Sequence, residues 1–137
     1  MERITTAASL RLIEYALQAA KSIQSPSSVA VVDSGRNLMA FVRMDLAPLA
    51  SIEIAVGKAY TARSLNMPTA DLDKIIQPGQ PLYGLALAHG TPLVTFGGGV
   101  PIEMDGEIVG GIGVAGGTPE QDAQVAHVAL SEWEKAL

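Results

Sequence analysis

The 137-residue chain predicts an α+β domain: one five-stranded antiparallel sheet flanked by N-terminal, central and C-terminal helices. Three observations predict it. Residues 105–106, Asp-Gly, sit between two apolar runs, and a two-residue turn of that type needs φ > 0 at both central positions, the signature of a hairpin. A second run of turn residues, Asp33-Ser-Gly-Arg-Asn37, separates Val29–Val32 from the alternating stretch Leu38–Met44 and predicts another hairpin. Long stretches of helical periodicity lie before, between and after these hairpins, as segregated helices on an antiparallel sheet require.

Composition narrows the class. Hydrophobic residues make up 48% and charged residues 17%, so the chain can bury a real core as one domain. Aromatics are 4%, which leaves few rings on which nucleobases could stack. The net charge of −5 argues against nucleic acid and anionic membranes as partners. With no cysteine, thiolate catalysis, disulfides and zinc–thiolate sites are excluded. No apolar run approaches a membrane span, and the start, Met-Glu-Arg-Ile, is no signal peptide, so a cytoplasmic location is expected.

In order, residues 6–24 form an amphipathic helix. Arg11, Glu14, Gln18 and Lys21 make its polar stripe, and Leu12, Ala16, Ala19 and Ile23 contribute to a broad apolar face. Residues 47–66 form the central helix, stopped before Pro68. Its small residues around Gly57 suit close packing, and Lys58 interrupts a partly apolar surface. A snorkelling lysine and a lysine held at a cleft wall are both open readings. Residues 69–76 read as a short helix led by Thr69, and residues 82–89 as another, with His89 in its last turn and Gly90 closing it. Leu93–Phe96 is expected to be the third strand, leading into the Gly97–Gly99 bend.

The glycine-rich strand over residues 108–114 alternates Ile108, Gly110, Ile112 and Val114 with a nearly bare face of Val109, Gly111 and Gly113. Something must approach that face closely. Gly111 to Gly116 matches G-x-G-x-x-G, but the glycines begin inside the strand and one helix exhausts the chain, so a dinucleotide site is disfavoured. Thr118-Pro-Glu-Gln121 then opens the last helix, residues 119–135, with a capping box and proline at the first position. Asp122 begins its inward face, and His127 lies on the wet one.

No P-loop, nucleophile elbow or metal-ligand spacing is present, and no metal site is expected. The charged residues that interrupt apolar surroundings are Asp33, Arg43, Asp45, Lys58 and Asp122. They could form a buried ion network or an anion-binding cleft. The candidate ligand-binding set is Arg43, Asp45, Lys58, Gly98, Gly99 and Asp122. As a catalytic set, Lys58 or His89 would act as base with Asp33 among the orienting carboxylates.

Several stretches together carry a resemblance: Ala30-Val-Val-Asp33-Ser-Gly35, Arg43-Met-Asp45-Leu-Ala47, Lys58-Ala-Tyr-Thr-Ala62, Gly98-Gly-Val-Pro101-Ile, and Asp105–Gly117 with Gln121-Asp122. The chain resembles the GlcG/HbpS family of haem-binding or "haem-degrading" small proteins, which also form the C-terminal domain of PduO-type adenosyltransferases. The resemblance implies a profilin-like fold and homo-oligomers. It also implies tetrapyrrole binding, in some members through a histidine near or on the first helix; residues 1–25 here contain none, and Tyr15 or a methionine would have to substitute. Three functions follow as expectations. The first is a small-ligand-binding protein, its ligand haem or a small anionic metabolite in a pocket near a subunit contact. The second is a cofactor-independent proton-transfer isomerase or lyase acting on a small carboxylate or carbonyl compound, and the third a structural oligomeric module.

Overall fold

The computed structural model describes residues 3–88, 90 and 93–137. The elements run α1 (Thr6–Ser22), β1 (Ser28–Asp33), β2 (Leu38–Arg43), α2 (Ser51–Leu65), α3 (Thr69–Ile75), a 3₁₀ turn at Leu85–Leu87, β3 (Gly99–Met104), β4 (Glu107–Ala115) and α4 (Pro119–Lys135). The strands form one antiparallel sheet in the order β2-β1-β4-β3.

Among the described residues the sheet has four strands, and the expected fifth is the correction. Leu93–Phe96 makes no ladder. The amide of Val94 instead donates to the Thr61 hydroxyl of α2 at 2.9 Å, so this apolar segment is tied to a helix and the Gly97–Gly98 bend delivers the chain into β3. The helix expected over residues 82–89 is only the 3₁₀ turn. Gly84, at φ 90°, interrupts it, and none of its three residues is buried, so no packed face sustains a longer helix. The central helix starts at Ser51 rather than residue 47 because Leu46 turns the chain at φ 69°.

Two layers cover the sheet. On one face α1 and α4 pack over Val29, Val31, Ile112 and Val114, and the Trp133 indole donates to the Ala8 carbonyl at 3.1 Å, joining the helices. On the other face α2 lies against Ala30, Val32 and Ala115 through Ala55 and Ala59. The bare face of β4 explains that close approach: a Cβ on Gly113 would strike the Ala55 carbonyl, and one on Gly111 the Ala59 carbonyl. The G-x-G-x-x-G glycines therefore serve helix–sheet packing. Strict alternation breaks within β4, as it also does between Ala40 and Leu38 of β2. Ile102 pairs with Gly110 and Glu103 with Ile108, which leaves Val109 as a bulge residue, and its side chain joins the α1/α4 core rather than the α2 face.

Both local signals around β4 hold. Asp105 and Gly106 have φ of 50° and 80°, and α4 opens on a capping box between Thr118 and Gln121. Thr69 begins α3, but its hydroxyl accepts from the Gly99 amide at 2.9 Å instead of capping the helix.

Candidate functional site

The site grows from one buried lysine. Lys58 lies mid-way along α2, on the face turned to the sheet, and is only 1% exposed. Its ammonium donates to the Val114 carbonyl at 2.8 Å and to Asp122 Oδ2 at 2.9 Å. Asp122, in the first turn of α4, is 2% exposed. Its other oxygen accepts from the Gly117 amide at 2.9 Å. One ion pair thus ties α2, the end of β4 and the start of α4 together. The helix dipole favours a carboxylate at that N-terminus.

Glycines make room for the lysine. A Cβ on Gly98 would strike the Val114 carbonyl and stand 2.7 Å from Lys58 Nζ, and one on Gly99 would strike the Lys58 carbonyl. Burial lowers the Lys58 pKa from its ordinary 10.5, because the charged form loses its water; the charge of Asp122 and its hydrogen bond pull the other way. An ammonium has three N–H groups, and two have acceptors among the described residues. The lysine also stands 5.0 Å from the centre of the Phe96 ring, within cation–π range.

This pair forms the wall of a cleft of about 180 Å³, lined also by Pro48, Ser51, Ile54, Phe96, Gly116 and Gly117. Ser51 is held there by a buried contact of 2.8 Å with the Ser28 hydroxyl and by donation to the Pro48 carbonyl at 2.6 Å. The cleft is smaller than the roughly 300–1,000 Å³ of a drug-sized ligand's pocket and equals about six waters at roughly 30 Å³ each.

The structure brings together Lys58, Asp122, Gly98 and Gly99. It places the other candidates apart. Arg43 ends β2, and its guanidinium donates to the Ala47 carbonyl at 3.2 and 2.8 Å, which pins the loop before α2. Asp45 is exposed on that loop. Asp33 lies at the other end of the sheet, about 17 Å away along β1 by strand rise. Its Oδ1 accepts from the amides of Gly35 and Asn37, each at 2.9 Å. His89 lies outside the described residues.

Phe96, Ser51 and Ser28 did not announce themselves in the sequence. The only signal for Phe96 was its scarcity, as one of two phenylalanines, beside a glycine bend. Two serines 23 residues apart carry no local pattern.

Residues 4–131 match the profile of the family described as "Haem degrading protein HbpS-like". The chain belongs to that family. An uncharacterized 15.0 kDa protein of the dhaT-dhaS intergenic region of Citrobacter freundii is 41% identical over 93% of this chain and 89% of its own length. The corrinoid adenosyltransferase PduO of Salmonella typhimurium is 38% identical over 88% of this chain, which spans only 36% of that enzyme. A solved PduOC:heme complex superposes with a TM-score of 0.91 at 35% identity, covering 95% of this chain and 94% of that one.

Haem can be tested against the side chains of this HbpS-like chain. Helix α1 turns Leu12, Ile13 and Ala16 inward and carries no histidine. Tyr15 packs against the core. The Met44 sulfur accepts from the Ser27 amide at 3.4 Å. His127 is exposed, on the outer side of α4 beside Glu103 and Glu134. Among the described residues, then, the donor set does not fit haem by a first-helix ligand.

Proposed function

We propose that the protein binds a small, oxygen-bearing metabolite in the Lys58–Asp122 cleft. One observation carries the reading: an ammonium 1% exposed stands at a cleft wall with a donor to spare. Burying a charge is costly unless it is paired and hydrogen-bonded, and a packed apolar side chain would be expected to stabilise this site at least as well. A carboxylate or carbonyl oxygen would take the third N–H, and the Phe96 ring and Ile54 would cover its apolar part. The N-terminal end of the α4 dipole favours partial negative charge there. Because Asp122 already balances Lys58, the site favours one oxygen over a multiply charged anion.

Haem is the other ligand class that the family supports, through the relative solved with it. The two are separable by titration. Acetate, pyruvate and acetone are added to one sample while thermal stability is followed, and haem to another while the Soret band is followed. The cleft reading expects a rise in melting temperature with at least one small oxygen compound, lost in Lys58→Met. A Soret shift at micromolar protein, with no response to any small compound, would favour haem instead.

A second reading, proton transfer on a small carboxylate or carbonyl compound, is favoured by the lowered Lys58 pKa. Lowering brings a lysine closer to the range of a general base. Solvent-hydrogen exchange at the methyl group of pyruvate, measured with and without Lys58→Met, tests it.

The protein also reads as a homo-oligomer with the cleft near the contact. Leu46 and Leu49, on the loop that borders the cleft, are 89% and 76% exposed, an apolar rim that a neighbouring copy would cover.

A further inference from the structure

Ser51 opens α2 and lines the cleft. Its hydroxyl has two neighbours, the Pro48 carbonyl at 2.6 Å and the Ser28 hydroxyl at 2.8 Å. The direction of each bond follows from proton counting. A carbonyl oxygen only accepts, and a hydroxyl has a single hydrogen. Two oxygens 2.6 Å apart need a proton between them, so the Ser51 hydrogen is spent on Pro48. The buried Ser28 hydroxyl must then donate to Ser51. Ser51 Oγ is left with one lone pair and no hydrogen to give. Among the described residues nothing else donates to it.

The fold sets this acceptor across from the Lys58 donor. Gly113 of β4 lies beneath Ala55 and Gly111 beneath Ala59. The helix therefore runs against the strand, and the Lys58 side chain reaches back toward Ser51 to meet the Val114 carbonyl. The Val114 amide donates to the Gly98 carbonyl at 2.9 Å, on the β3 side, and its carbonyl points the same way. Ser28 stands on the opposite neighbour, β1, paired with Ala115. Ala115 lies between them and also lines the cleft. Lys58 Nζ and Ser51 Oγ thus face one cavity from two sides, on the order of 5–7 Å apart by strand spacing.

We infer that the cleft selects an α-hydroxy carbonyl group, in an acid or a ketone. Lys58 donates to the carboxylate or carbonyl oxygen, and Ser51 accepts from the adjacent hydroxyl. The inference deepens the cleft reading and rests on it. Such a group offers one partner of each polarity, and a three-carbon compound carrying it is within the cleft's volume of about 180 Å³. A keto oxygen in place of the hydroxyl would set lone pair against lone pair. A methylene there would leave Ser51 without its donor, the situation in which a polar site discriminates best.

The full chain is titrated calorimetrically with both enantiomers of lactate, with propionate and pyruvate, and with hydroxyacetone against acetone. The better lactate is expected to bind about 5–10-fold more tightly than propionate or pyruvate, and hydroxyacetone than acetone, as one hydrogen bond provides. Ser28→Ala/Ser51→Ala removes both hydroxyls of the buried pair together. The Pro48 carbonyl keeps the amide of residue 51, at 3.0 Å, so this variant is expected to fold. In it the preference should fall to within about twofold while propionate affinity stays unchanged. A merely structural role for the serines would weaken every ligand alike. Equal binding of lactate, propionate and pyruvate, all lost in Lys58→Met, would overturn this inference and leave the cleft reading standing. So would a hydroxyl preference that survives loss of both serines. Binding of none of these compounds would overturn both.

Discussion

The two ends of the β1–β4 pair hold one aspartate each, and the two carboxylates do opposite work. At one end Asp122 is 2% exposed and faces a buried ammonium at 2.9 Å. At the other, Asp33 is half-buried and accepts from the amides of its own turn. The first is held by tertiary structure: helix, strand and helix must all be in place for it to have a partner. The second is satisfied within five residues and needs only the turn. A carboxylate that the chain can satisfy locally is a structural device. One that requires a distant cation to be buried with it has a cost that stability alone does not explain, and that cost marks the cleft end as the place to look for function.

The contrast can be broken most forcefully at the ion pair. Lys58→Met leaves Asp122 buried without its cation and is expected to lower unfolding free energy by about 3–5 kcal/mol, measured by urea titration. Lys58→Met/Asp122→Leu should recover most of that loss, because two apolar groups replace two charges. If the double variant were as unstable as the single, the pair would be contributing more than mutual compensation. The same pair sets a pH dependence. The folded pKa of Lys58 lies below its ordinary 10.5, so the unfolded chain holds the extra proton between those two values. Stability attributable to Lys58 therefore rises with pH across that window, and it falls as pH drops from 10.5 toward the folded value, below which it levels off. The difference in unfolding free energy between wild type and the double variant should move in that direction.

Glycines sharpen the comparison at smaller scale. Gly113→Ala would drive a methyl into the Ala55 backbone, where nothing can yield without moving α2, and is expected to cost about 1–3 kcal/mol. At the other end, Gly35→Ala meets the Asn37 side chain at 3.0 Å and Asp33 Oδ1 at 3.5 Å, side-chain atoms of the turn rather than backbone, so the change should stay within about 0.5 kcal/mol. Between them, Asp33→Ala removes the turn's acceptor and is expected to cost about 1 kcal/mol, a typical net hydrogen-bond contribution. Thermal melts of the three variants order them.

What the residues disclosed beforehand follows the same division between local and distant causes. The Asp105-Gly106 turn and the Thr118–Gln121 capping box were legible because each is fixed by residues within three positions. Asp122 could be placed on the inward face from the period of α4, and Lys58 could be singled out as a cation in apolar company. Their pairing could not be read, since it depends on two helices docking on one strand. Leu93–Phe96 misled for the reverse reason. Its strand-like composition was real, but its Val94 amide found the Thr61 hydroxyl of α2 rather than a neighbouring strand. The Val109 bulge was likewise invisible, being a property of the β3–β4 register.

The central claim, that the cleft end binds and the turn end does not, is tested by amide NMR of the full chain titrated with pyruvate and acetate. The account predicts saturable shifts confined to Gly116, Gly117, Asp122 and the first turn of α2, absent in the double variant. Shifts centred instead on Asp33, Gly35 and Asn37, or shifts at the cleft that persist without Lys58 and Asp122, would contradict it.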